Sequence, residues 1–153
     1  ALEAAITIEA ALPDDLPPVW IDLAQIQRVL VNLLDNALRH TPYGGQVRIE
    51  AEHLPESGAV CITVSDSGAG IPAEGRAVIF EKFSQLEKSA LRGHKGAGLG
   101  LTFCKLVIEA HGGRIWVDDA ALGGAAFRFT LPLADDRSLT THSIPSTENN
   151  HPR

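Results

Sequence analysis

The sequence predicts a two-layer α/β sandwich, a sheet with helices packed on one face. Three observations predict it. Short segments of alternating apolar and polar residues mark strands at both ends of the ordered part. Two longer segments repeat apolar residues at spacings of three and four, as amphipathic helices do. The order is strands, helix, two strands, long loop, helix, two strands, with no internal repeat, which groups the helices against a single sheet. One domain is expected over 1–133 and a disordered tail over 134–153, where the chain turns polar and Ile144 is almost the only large apolar residue.

The first strand is expected over 4–10, where Ile6 and Ile8 alternate with Thr7 and Glu9. Pro13 to Pro18 then breaks the chain, and residues 19–21 suggest a short second strand. Asp22 is a helix cap for a segment carrying Ile26, Val29, Leu30, Leu33, Leu34, Ala37 and Leu38, which ends near Thr41 ahead of Pro42. Strands are expected over 46–52 and 59–66, joined by a turn at 55–58. Residues 67–98 read mostly as loop, with an apolar knot at Val78, Ile79, Phe80 and Phe83; a loop of that length usually has a function. A second helix is expected over 99–111, stopped by Gly112-Gly113, followed by strands over 114–117 and 126–131.

Composition narrows the function. Of 153 residues, 13 are basic and 19 acidic, for a net charge of −6, which disfavours a general nucleic-acid surface and requires any anionic ligand to be held locally. Cys61 and Cys104 fit no metal spacing and lie in apolar runs, as buried thiols of a reducing cytosol do. No segment reaches membrane-spanning length, so no membrane contact is expected of this piece, although a larger parent can be anchored elsewhere.

Three motifs bear on chemistry. Asn32, Asn36 and Arg39 recur at four and three residues and share one side of the first helix. Amide oxygens suit a hard cation such as Mg2+, which keeps waters and substrate phosphates as further ligands, and Arg39 then meets a phosphate oxygen. Taken alone, such a pair is better explained as a solvated helix face, and only the remaining motifs reverse that balance. Asp66-Ser67-Gly68-Ala69-Gly70-Ile71-Pro72 leaves a strand end with two glycines, which lets backbone approach a flat ligand while Asp66 accepts a hydrogen bond, for instance from an adenine amino group. A plain tight turn explains that stretch equally well. Lys95-Gly96-Ala97-Gly98-Leu99-Gly100-Leu101 opens the second helix, where exposed N–H groups and the helix dipole form an anion site. A slack glycine linker is the alternative, and immediate passage into an amphipathic helix argues against it. Neither common nucleotide fingerprint is present.

Taken with Gln27 to Ala37 and Ile79 to Phe83, these motifs resemble the four boxes of histidine-kinase ATP-binding domains of the GHKL superfamily. The likeness runs from about Ile6 to Leu133. It implies a mixed, mostly antiparallel sheet of about five strands, and ATP and Mg2+ as ligands. It implies that Asn36 binds magnesium, Asn32 supports that site, Arg39 takes the basic position at the phosphates, and Asp66 reads the adenine amino group. Gly68, Gly70 and Ile71 then shape the base pocket, with His40 beside the base where the family often has tyrosine. Gly96, Gly98, Leu99, Gly100 and Leu101 supply backbone to the phosphates. Phe80 and Phe83 anchor a lid over about 84–95, in which Lys88, Arg92 or Lys95 replaces the cation that the family often has near Ser84-Gln85.

Hydrolytic members of the superfamily have a glutamate where this chain has Asn32, and an amide cannot act as general base, so transfer is favoured over hydrolysis. The resemblance further implies a γ-phosphoryl acceptor histidine on a dimerisation segment preceding residue 1, a response regulator receiver domain as the next partner, and a cytoplasmic location. Two other readings stay open: a degenerate module that binds ATP without transfer, and an ATP-hydrolysing relative.

Overall fold

The structure, a computed structural model, describes residues 5–81 and 97–134. Its sheet has five strands, β1 (Thr7–Ala11), β2 (Gln46–Leu54), β3 (Ala59–Asp66), β4 (Ile115–Asp119) and β5 (Ala125–Pro132), in the order β1-β2-β3-β5-β4. Only β1 runs parallel to its neighbour. The helices are α1 (Leu23–His40) and α2 (Ala97–Ala110). This is the mixed, mostly antiparallel sandwich that the sequence predicts.

Period-two patterning sets the faces. Val47, Val64, Phe127, Phe129 and Leu131 point to the core, where they meet Ile26, Val29, Leu33 and Ala37 of α1 and Leu101, Cys104, Val107 and Ile108 of α2. Phe80, from a short 3-10 turn (Val78–Phe80), joins the same core and meets Phe127 edge-on with ring centroids 6.0 Å apart. Helix α1 starts as expected: the Asp22 side chain accepts a hydrogen bond from Gln25 N at 3.1 Å. It ends where Thr41 turns extended and its hydroxyl donates back to the Ala37 carbonyl at 2.6 Å.

Residues 19–21 do not form the expected second strand. Val19 makes a single bridge to Leu133, because Pro17 and Pro18 offer no N–H to extend a ladder and the cap at Asp22 follows at once. The 67–81 stretch is loop with two 3-10 turns, Ala73–Gly75 and Val78–Phe80. The lid expected at 84–95 and the tail, Ala134 apart, lie outside the described residues.

Candidate nucleotide pocket

The site is built where β3 ends beside the last turns of α1. β3 delivers Asp66, which is 2% exposed, and its Oδ1 accepts hydrogen bonds from Gly68 N at 2.9 Å and Ala125 N at 3.2 Å. The Asp66 carbonyl accepts a third from Gly124 N at 3.1 Å. One residue thus ties the end of β3, the loop after it and the start of β5. The side-chain Oδ2 bonds to no other described residue.

Two glycines permit this closeness. A Cβ at Gly68 would collide with the His40 carbonyl, and one at Gly124 with the Asp66 carboxylate. The loop after β3 is thereby pressed against the C-terminal turn of α1. A cavity of about 310 Å³ opens beside this junction. Its polar groups come from Asn36, His40 and Asp66, and Ile71, Pro72, Val78 and Ile79 give it a largely apolar wall, with Gly70, Gly75 and Ala125 completing it. Such a wall with few convergent polar groups is what a flat heterocycle needs.

Asn36 is buried, 9% exposed, and its side-chain amide makes no hydrogen bond with any described residue. The amide is not sealed in the core but opens on the cavity that Asn36 lines, where it is accessible to a ligand. A neutral oxygen donor of this kind fits Mg2+, which takes one or two protein ligands and completes its shell with phosphates and water. His40 lines the same cavity with Nδ1 3.3 Å from the Asn36 carbonyl.

Asn32 is not in the cavity wall. It turns to α2, donating from Nδ2 to the Gly100 carbonyl at 3.4 Å, and so sets the first turn of α2 beside α1 one turn away from Asn36. Gly98 and Leu99 belong to that turn, and Leu101 anchors it in the core at 1% exposure. Arg39 pairs with Asp35 at 2.7 Å on the exposed side of α1. Phe83, Lys95 and Gly96 lie outside the described residues.

The sequence singles out Asn36, His40, Asp66, Gly70 and Ile71, and the structure brings them together. Missed were Gly124 and Ala125, which hold Asp66, and Pro72, Gly75, Val78 and Ile79, which wall the cavity. The apolar knot at 78–80 signalled packing but not its direction; for Gly124 the only signal was the small-residue run Gly123-Gly124-Ala125-Ala126.

A family model described as histidine kinase-, DNA gyrase B- and HSP90-like ATPase matches residues 21–135. The chain is 44% identical over 126 residues to the adaptive-response sensory kinase SasA of a Nostoc species, covering 82% of this chain and 31% of that protein. It is 42% identical over 122 residues to SasA of Synechococcus elongatus, with 80% and 31% covered. The chain therefore spans about a third of the length of these curated relatives. Among solved structures it resembles the nucleotide-free catalytic domain of histidine kinase ThkA, with a TM-score of 0.71 at 32% identity, covering 84% of this chain and 79% of that one. Full-length ShkA in complex with AMPPNP matches with a TM-score of 0.69 at 33% identity, over 84% of this chain and 26% of that one. With the sheet order, the cavity and these matches in agreement, the chain belongs to the histidine kinase-, DNA gyrase B- and HSP90-like ATPase family, as an ATP-binding catalytic domain of the sensor-histidine-kinase type.

Proposed function

We propose that this domain binds magnesium ATP in the cavity beside Asp66 and passes the γ-phosphoryl group to a histidine on a dimerisation segment of the same kinase, from which a response regulator receiver domain takes it. The observation that carries this reading is the side-chain amide of Asn36, which has no hydrogen-bond partner among the described residues and opens on the same cavity as Asp66.

In this reading the base lies against Ile71, Val78 and Ile79, with its amino group donating to the Oδ2 of Asp66. Asn36 Oδ1 is the protein's ligand to Mg2+. The ion, when bound, neutralises charge on the phosphates and draws off the charge that develops on the leaving diphosphate. The N–H groups of the first turn of α2 receive the phosphate tail at the positive end of the helix dipole. Arg39 supplies a cation by exchanging Asp35 for a phosphate oxygen. An exposed ion pair is worth about 0–1 kcal/mol, so that exchange costs little. The bond from the γ-phosphorus to the bridging oxygen breaks, a P–N bond forms on the acceptor imidazole, and ADP leaves. With Asn32 where a glutamate would activate water, the domain holds the phosphates in place without a base for hydrolysis.

The test is calorimetric titration of the chain with a non-hydrolysable ATP analogue, with and without magnesium. Binding that needs magnesium and is lost in Asn36→Ala supports the reading. Affinity unchanged by that substitution contradicts it.

A further inference from the structure

Asn32 and Asn36 lie one helical turn apart on α1, yet their amides face different neighbours. Asn36 opens on the cavity, whereas Asn32 donates to the Gly100 carbonyl across the seam between the helices at 3.4 Å. Cys104, one turn along α2 from Gly100, is fully buried, and its thiol donates to the Val29 carbonyl at 3.7 Å. One amide and one thiol therefore join residues 29–32 of α1 to residues 100–104 of α2. Gly100 faces Asn32 directly: a methyl there would sit 3.4 Å from Asn32 Cγ, in van der Waals contact.

We propose that Asn32 and Cys104 form a strut that fixes the first turn of α2 relative to Asn36, so that Asn32 is a positioning residue acting through the Gly100 backbone, not a group that touches the nucleotide. The proposal rests on the nucleotide reading of the cavity. Its physical basis is that a phosphate site made of helix N–H groups has no side chain to readjust. Its position is the position of the helix, and small misplacements of a reacting group are costly. Other ties hold the seam farther from the cavity: the Arg28 guanidinium stacks 4.2 Å from the Phe103 ring centre, and His111 Nε2 accepts from Asp22 N at 3.0 Å. Loss of the strut should thus loosen the first turn without parting the helices.

The test compares Asn32→Ala, Cys104→Ala, the double variant and Cys104→Ser. ATP and adenosine binding are measured by calorimetry, and amide hydrogen exchange at 98–101 is measured without ligand. Each alanine variant is expected to weaken ATP binding, by a few-fold to about tenfold for one lost hydrogen bond, and to leave adenosine binding within about twofold. The double variant is expected to be no weaker than Asn32→Ala, because coupled residues are not additive. Cys104→Ser, which keeps a hydrogen-bonding atom in place, is expected to bind ATP like the parent. Exchange at 98–101 should quicken in both alanine variants and not in Asn36→Ala. Losses that multiply in the double variant, adenosine binding lost in parallel, or unchanged exchange at 98–101 would each overturn the strut. A parent chain that binds no ATP sinks the nucleotide reading instead, and the exchange rates still report on the strut.

Discussion

At Asp66 both backbone hydrogen bonds fall on one oxygen, which leaves the other for a ligand. Asp66→Asn keeps an acceptor toward Gly68 and Ala125 if the amide NH2 takes the ligand-facing position. A donor then faces the adenine amino group. ATP affinity is expected to fall by about 1–3 kcal/mol, the cost of an unpaired polar group, while GTP, with an acceptor at that position, gains relative to ATP. Competition between the two nucleotides measures it, and an unchanged preference contradicts the role given to Asp66. Cys104 allows a prediction independent of any ligand. Burial pushes its thiol up from about 9.0 to about 12. Below pH 9 folded and unfolded chains both hold the proton and the stabilisation is fully present; above it the unfolded chain alone ionises, so stability falls as pH rises toward 12. Urea midpoints between pH 8.5 and 10.5 should decline more steeply in the parent than in Cys104→Ala, and equal slopes would refute this. Asn36 and Asp66 were legible as candidates only because their motifs occur together in one order; taken alone, each had a plain structural explanation at least as good. Gly124 was not, because its function is to lack a side chain beside Asp66, a contact that the chain reaches only through folding.

Among the elements, α1 was legible in full: its cap, apolar stripe and stop all act within a few residues, so local sequence fixes them. Strand edges were less so. Asp119, Ala125 and Pro132 extend β4 and β5 beyond the expected ends because their partners across the ladder support them, and β1, exposed along its whole length, keeps its place through the parallel pairing with β2. Two substitutions separate the local from the tertiary contributions. Asp22→Ala removes the Gln25 hydrogen bond and is expected to cost about 1 kcal/mol of stability with nucleotide affinity little changed, read by thermal melting and titration. Gly124→Ala drives a methyl into the Asp66 carboxylate, so it is expected to weaken nucleotide binding at least about tenfold, the scale of breaking one or two hydrogen bonds to the ligand. Should Gly124→Ala bind like the parent, β5 does not hold Asp66 in the way described.

For the whole molecule, the proposed reading reconciles a net charge of −6 with a polyanionic ligand by local means: an amide, a helix start and a metal ion rather than a basic surface. In the proposed reading the acceptor histidine lies on another segment. Among the described residues, His40 and His111 meet carbonyls of their own helices through Nδ1, those of Asn36 and Val107 respectively, and His53 lies exposed on β2. The proposed transfer therefore uses an acceptor on a partner segment, which can be supplied separately. Incubated alone with ATP labelled at the γ position, the chain is expected to bind and remain unlabelled. With a dimerisation segment of the same kinase added, label should appear on that segment, lost in acid and kept in alkali as phosphohistidine requires, and should be abolished by Asn36→Ala. Label on this chain itself, or steady release of inorganic phosphate in place of transfer, would shift the assignment toward self-modification or hydrolysis.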